Sequence, residues 1–504
     1  MSGDPFGGSA AVYDGAKSGR MLGDWNAWLT HPDNDWAQSS ITLADRAWDL
    51  VRNDPLACAI VKAELLATHG SEGLRYHSLY READRTQTTD AERAVRLQLD
   101  TISDVTWEER GFDASGMLCR YELEKSADMV ARVSGDCALI RCWKPQRQQT
   151  EFATCWRMIR PEYVGNPGYM PDNEHFYKGI EFDSNHLPIA LHYQKVIRAG
   201  YTYVLPEWVK VPWWGDDGMP NVILRIGERV PGAIRGTTIF APLLKYLRQV
   251  AQLNDAYIVG KRAQASHPVV KVVDNPGQAA ADDARMSRRG DTSGQKSLTI
   301  IYTKNKDGVI FPSWQFMGQD FTQFLNAEYR VLTAARGMPW EYVLAQLTDA
   351  NLAASRAAML QFYRVGTGWQ NEHIQQCTSP MDESYVREGI ARGYCNANPA
   401  GLRTRLMAAN YRRPPQNMPD PGKEAKAGQT WAQMGRDFTG IFGESGLNFE
   451  DCVLRRQQDE LFAKAHGVRL ITDEKVDNNA ATDGEGKSAE DQGTKKPATA
   501  EDQP

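Results

Sequence analysis

Apolar residues recur along this chain at spacings of three and four, broken by stretches of shorter period, which predicts a protein of mixed helix and strand. The first forty residues, rich in Gly, Ser, Asp and Trp, hold no steady period and read as an extended, partly ordered arm. From Ile41 a helical pattern begins with Leu43, Ala47, Leu50 and Val51. It pauses at Asn53-Asp54-Pro55, residue types that favour a turn and disfavour helix before the proline. A second helix carries Leu56, Ile60, Val61, Leu65 and Leu66 and stops at His69-Gly70, with the glycine just past the helix end. Residues 91–110 and 122–135 read as helices, and Cys137–Trp143 as a buried strand. Between Glu151 and Val211, short strand-like runs alternate with turn signals such as Gly165-Asn166-Pro167-Gly168. That is the β-rich part of an α+β domain.

The character changes after Gly236-Thr237-Thr238. From Ile239 to Ala265 a single pattern through Leu243, Leu247, Val250, Asn254, Tyr257 and Ile258 predicts one helix, with Pro242 in its first turn and a length on the order of 40 Å. Strand-like runs at Val269–Val273 and Leu298–Tyr302 flank a polar stretch, Asn275–Lys296, and predict a small β-module with a mobile loop. A second helix starts at Asp320, which stands with Gln323 at capping-box spacing. Phe321, Phe324, Leu325, Tyr329 and Leu332 stripe it, and Gly337 ends it. Residues 338–351 read as a loop with room for one short helical turn, and 352–369 as a helix. Two or three more helices are expected between Glu383 and Gly467, the last from Phe449. From Val476 onward almost nothing is apolar, and a disordered acidic tail is expected.

Composition narrows the picture. The 504 residues are 41% hydrophobic and 24% charged, enough for two to four domains with sizeable cores. No run of about eighteen apolar residues predicts a membrane span, and the first ten residues lack the pattern of a secretory signal. The formal net charge is −6, whereas proteins that grip nucleic acid through phosphates carry a basic excess. If this chain meets DNA, it guides the duplex without holding it tightly. The 8 cysteines are read as reduced thiols. Cys137 and Cys142, with Cys119 and Cys155 outside them, make one loose pair where zinc needs two tight ones, so no metal is expected.

The chain carries no phosphate-binding loop, no H-E-x-x-H and no G-x-S-x-G. Asp216-Asp217 lies among glycines and reads as a turn, and Asp282-Asp283 as part of the polar loop; a two-metal nuclease needs more carboxylates converging on one point. His373 and Cys377 stand at helical i, i+4 spacing, which invites a thiol nucleophile but suits a half-buried helix surface better. Arg285, Arg288 and Arg289 in the polar loop suit an acidic partner or plain solvation. Trp213-Trp214 would serve as a stacking platform for bases or as core packing, with packing the plainer reading.

Five islands, in order over residues 41–467, resemble the lambda-type portal family of tailed bacteriophages. They are Arg46 with Leu50-Val51-Arg52-Asn53-Asp54-Pro55; Gly179-Ile180-Glu181-Phe182-Asp183 with Pro188-Ile189-Ala190; and Pro231-Gly232 with Arg235-Gly236 and Phe240-Ala241-Pro242-Leu243. The fourth is Gly337-Met338-Pro339-Trp340-Glu341 followed by Asn351 and Ser355-Arg356-Ala357-Ala358, and the fifth Asp420-Pro421-Gly422-Lys423-Glu424 leading to Gly446–Glu450. Departures are Val230 and Ala233, where the family shows Arg and Gln, and Leu352-Ala353-Ala354 before Ser355, where it shows N-Y-S-S.

The resemblance implies an α+β, multi-domain portal fold assembled as a ring, typically of twelve subunits, at one capsid vertex. It implies an N-terminal arm over 1–40, a wing over 41–235, a first stem helix over 236–266 and a clip over 267–315. A second stem helix would occupy 316–336, a tunnel loop and following wing helix 337–375, a helical crown 376–467 and the tail 468–504. Gln346, Thr348, Asp349 and Asn351 of the tunnel loop would face double-stranded DNA, and Arg285, Arg288 and Arg289 of the clip would meet the terminase motor and later a head-completion or adaptor protein. Major capsid protein and a scaffold are further implied partners, in a virion assembled in the host cytoplasm. No enzyme activity, catalytic residue, metal or cofactor is expected. The competing readings are a phage-encoded nuclease or protease and a small-oligomer nucleic-acid-binding protein.

Overall fold

Asp54 shows why one apolar pattern makes two helices. Its carboxylate accepts a hydrogen bond from the Ala57 N–H (2.8 Å) and Pro55 occupies the first helical position, so α1 (Pro32–Asn53) ends where α2 (Pro55–His69) begins. This is a computed structural model that describes residues 31–81, 89–147, 150–195, 207–265, 269–281, 300–303, 319–344, 352–397, 403–414, 421–438, 441–442 and 449–465. Helix α1 starts at Pro32, nine residues before the expected Ile41, because His31 caps it and Asp33 and Asp35 sit in its first turn. The expected arm is correspondingly shorter. Gly70 closes α2 at φ 56°.

The remaining elements of the first unit are β1 (Arg75–Ser78), α3 (Asp90–Glu108), α4 (Arg120–Ser134), β2 (Asp136–Trp143), β3 (Thr154–Ile159), β4 (Phe176–Tyr177), β5 (Ile180–Phe182), β6 (Pro188–Lys195), β7 (Glu207–Pro212) and β8 (Val222–Ile226). They are followed by α5 (Leu244–Ala265), β9 (Val269–Val272), α6 (276–281), β10 (Ile300–Thr303), α7 (Gln319–Ala334), α8 (Trp340–Leu344), α9 (Leu352–His373), α10 (Ser379–Ala391), α11 (Arg403–Leu406) and β11 (Ala409–Arg412). The chain divides into two units, residues 1–426 with 444–446, and residues 427–443 with 447–504. Helix α12 (Pro421–Gln433) runs across the division, and a last helix, Phe449–Ala465, belongs to the second unit. No helix among the described residues is long and apolar enough to cross a membrane.

The sheet β3-β2-β8 is antiparallel and divides two apolar cores by its alternation. Cys137 and Leu139 face a core built with α3, α4 and α10; Ala138 and Ile140 face Ile180, Leu191 and Tyr193 of the antiparallel sheet β4-β5-β6-β7. A third core gathers α1, α2, Phe240, Leu247, Leu332, Met338 and Phe362.

Several expectations shift. The predicted long helix starts at Leu244, not Ile239, because 241–243 form a turn around Pro242; it is about 33 Å long. Helix α7 begins at Gln319, so Asp320 lies inside it and not at its cap. The polar stretch after β9 contains helix α6, and β9 pairs in parallel with β10, a pairing that requires a crossover connection. Strands β1, β8 and β11 were not expected: β1 and β11 are four residues of mixed polarity, and β8 is a five-residue apolar run broken by Arg225. The boundary expected at residue 376 is not a structural one: α9 runs through a widened π turn, Ile374–Thr378, into α10, and β11 pairs with β1. Pro380 would remove a helical hydrogen bond, and the widened turn ahead of it absorbs the misfit.

Candidate functional site

Helix α4 carries Arg120, Glu124, Asp128 and Arg132 at successive i, i+4 positions, so all four side chains leave one face of it, and that face is fully buried. Charges there must be paired or the fold loses several kcal/mol per group. Asp128 is held on both oxygens: Arg225 of β8 donates to Oδ1 (2.8 Å) and Arg132 to Oδ2 (3.1 Å), with His69 Nε2 at 3.1 Å from Oδ2. Arg132 also reaches Glu64, and donates to Thr68 at 3.0 Å. Arg120 bridges Glu124 and Asp382 at 2.7 Å each and lies 4.7 Å from the Trp107 ring centre. His373 Nε2 stands 3.3 Å from Glu124. Four guanidinium groups (Arg120, Arg132, Arg225, Arg336) thus face four carboxylates (Glu64, Glu124, Asp128, Asp382).

These partners set the protonation states. Burial pushes Asp128 up, but Arg132 and Arg225 hold its carboxyl well below the usual range. Burial likewise opposes Arg120 and His373 at Glu124, which settles at about 2. Burial and the neighbouring His69 push His373 down to about 4, against the pull of Glu124 and Asp128.

The hub fixes where α7 leaves the core, and a separate set of contacts does the same for α5. Arg336, just past α7, donates to Glu64 (2.7 Å) and Glu228 (2.9 Å), and Gly337 at φ 68° lets the Met338 N–H return to the Thr333 carbonyl (3.1 Å). Ahead of α5, Arg235 grips Asp136 with two bonds (2.6 and 2.8 Å) and Gly236 packs against Gly135 so closely that a Cβ would stand 2.1 Å from its carbonyl oxygen. Trp36 of α1 donates to the Gly236 carbonyl. Between the helices Tyr257 stacks on Phe321 with ring centres 3.9 Å apart. Tyr246, Ile258 and Val259 of α5 and Phe324 and Val331 of α7 are exposed.

The residues singled out from sequence are placed unevenly. Gln346, Thr348, Asp349 and Asn351 lie outside the described residues, as do Arg285, Arg288, Arg289, Asp282 and Asp283. What is described is their anchorage. Helix α8 stops at Leu344 and α9 starts at Leu352; Tyr342 packs on Phe362 (4.4 Å), and buried Trp340 lies under Arg330 (5.0 Å). Asp217 is clamped by Arg141 (2.7 and 2.8 Å), the arrangement of a salt-bridged turn. His373 and Cys377 are both buried, and burial pushes the Cys377 thiol up, which does not suit a nucleophile. Trp213 packs on the core that Ala138 and Ile140 share with Ile180, Leu191 and Tyr193, while Trp214 is exposed.

Among the described residues, His69, Asp128 and His373 bring potential metal-ligand atoms within 4.8 Å of one another. A divalent cation there would have to displace guanidinium groups from both Asp128 oxygens, so the trio suits an ion-pair hub better than a metal site. Sequence reading missed this hub, although the four charges of α4 recurring at i, i+4 spacing with alternating sign in pairs were its signal.

The family model described as phage portal protein, lambda family, matches residues 18–370. No curated protein matches. Similar solved structures include two from particle necks. A chain from the neck of a native GTA particle computed with C12 symmetry is 14% identical with a TM-score of 0.38, covering 80% of this chain and 93% of its own. A chain from the neck of an empty GTA particle computed with C6 symmetry is 13% identical with a TM-score of 0.37, covering 85% of this chain and 99% of its own.

Proposed function

The chain belongs to the lambda family of phage portal proteins, and from that premise we propose that it forms a closed ring, of twelve subunits, through which double-stranded DNA enters and leaves the capsid. Portal proteins are structural components of the virion, and this role needs no catalytic residue. The observation that carries the reading is the pair of long helices α5 and α7, which flank the β9–β10 pair and lie within the matched residues. In this reading they are the stem, residues 267–315 the clip and 338–351 the tunnel loop.

Rings of identical subunits are built from heterologous contacts that close by rotation. The exposed apolar side chains of α5 and α7 supply a surface for such contacts. DNA carries one negative charge per about 1.7 Å of axis, so a strongly basic lining would bind it and stall its passage. The polar, non-basic Gln346, Thr348, Asp349 and Asn351 fit a lining that lets it slide, and the net charge of −6 fits a protein that does not grip. Energy for packaging comes from a separate terminase motor, for which Arg285, Arg288 and Arg289 are the docking candidates, and a head-completion or adaptor protein takes the surface afterwards.

Mass measurement and negative-stain imaging of the purified full chain test this. A ring with a central hole wide enough for a duplex is expected. A monomer, or a small oligomer that cleaves DNA or protein, would overturn it.

A further inference from the structure

Cys142 and Cys155 stand directly opposite each other in the β2–β3 register, and their side chains therefore leave the same face of the sheet. Opposed residues of an antiparallel pair have Cα atoms about 4.5–5.5 Å apart, inside the window of about 4.4–6.8 Å that a disulfide spans. Cys155 is buried and Cys142 half-buried, and both leave the sheet face shared by Ala138 and Ile140, opposite to Arg141 and Trp143.

Three cations surround the pair. Arg157 lies two residues along β3 from Cys155, on the same face, Lys144 follows the end of β2, and Arg147 lies in the turn after it. Their hydrogen-bond partners are neutral oxygens: the Ala114 carbonyl for Lys144, the Tyr193 hydroxyl for Arg157, and the Gly111, Phe152 and Thr154 carbonyls for Arg147. Arg147 also acts on the Glu109 carboxylate, and all three cations act on Cys142. The Cys142 thiol is pulled down to about 6, first by its hydrogen bond with Cys155 and then by Arg157, Lys144 and Arg147, against burial. The same hydrogen bond and burial push Cys155 up.

We propose that Cys142 and Cys155 form a thiol–disulfide exchange site for small disulfide-bearing molecules, with the half-buried Cys142 as the attacking thiol. The Cys142 thiolate attacks one sulfur of the incoming disulfide; that S–S bond breaks, and the departing thiolate takes a proton from water. The Cys155 thiol gives its proton to water, its sulfur attacks Cys142, and the second thiolate leaves. Two electrons pass from the cysteines to the small disulfide, and a Cys142–Cys155 bond joins β2 to β3.

The disulfide of thionitrobenzoate is a suitable probe for the full-length protein. Near pH 7 a thiol with pKa about 6 has roughly thirtyfold more thiolate than one near 8.5, but its weaker nucleophilicity takes back roughly tenfold, so the rate advantage is small. At pH 6 the advantage grows to about tenfold, and the measurement belongs there. The wild-type protein is expected to release two thionitrobenzoates from this pair, leaving a peptide cross-link between residues 142 and 155 and no adduct. Cys155→Ser is expected to stop at one release with the adduct on Cys142. Cys142→Ser is expected to lose the early phase, and Cys58→Ser to behave as wild type. An adduct persisting on wild-type Cys142, or an early phase unchanged in Cys142→Ser, overturns the proposal. Peptide mapping of the wild-type protein alone decides the matter if a variant fails to fold.

Discussion

Asp128 accepts from two guanidinium groups in a site without solvent, so removing its charge strands both. Asp128→Asn is expected to cost about 3–5 kcal/mol, read as a lower denaturation midpoint or loss of soluble protein. Lys195→Ala, at the solvent-exposed pair with Glu207, is the control and should cost less than about 1 kcal/mol. Acid should also act through this hub. His373 is depressed to about 4 from its ordinary 6.5, so the stability of keeping it neutral is complete above 6.5 and is lost as pH falls toward 4. Glu124 is depressed to about 2 from 4.5, so its contribution is present above 4.5 and is lost as pH falls toward 2. Melting temperature should begin to fall below about pH 6.5 and fall more steeply below 4.5. His373→Gln should remove the upper part of that decline and leave the lower part. A wild-type melting temperature flat from pH 7 to pH 5 would contradict the assignment.

At the scale of elements, the two long helices are fastened at their core ends by polar contacts and to each other by aromatic packing. The Tyr257–Phe321 stack is the described ring contact between them, and such stacks add about 0.5–1.5 kcal/mol beyond area burial. A double-mutant cycle of Tyr257→Ala and Phe321→Ala should return a coupling of about 1 kcal/mol in thermal unfolding, and additive effects would show that the rings do not pair. How legible these elements were depended on length. Helices α2, α3, α4, α7 and the last one were legible to within a few residues, because their apolar spacing runs over several turns between recognisable caps. Strands β1, β8 and β11 were not, since four or five residues are too few to show a period, and each is paired with a partner distant in the chain.

For the whole molecule, the ring reading makes docking a matter of charge on the clip. Arg288→Glu with Arg289→Glu should abolish terminase binding and packaging in a reconstituted assay while leaving ring assembly intact, as judged by negative stain. Unchanged packaging would place the contact elsewhere. The family was legible from short islands, and the structure gives several of them a physical task. Asp54 caps α2, Arg235 clamps Asp136, Gly236 fits against Gly135 and Gly337 turns the chain out of α7. These tasks are local turns and close approaches, which only particular residue types perform.

The sequence by itself determined the long helices, their caps and turns, the acidic balance and the family, because these depend on residues near one another in the chain or on composition. Only the tertiary structure decided the charged hub, whose partners lie 59 residues apart for His69 and Asp128 and 262 apart for Arg120 and Asp382. It also decided that 374–412 share a core with α3 and α4, and that Cys142 faces Cys155. Pairing a buried charge or opposing two thiols is a property of where the backbone brings side chains, and no spacing along the chain encodes it.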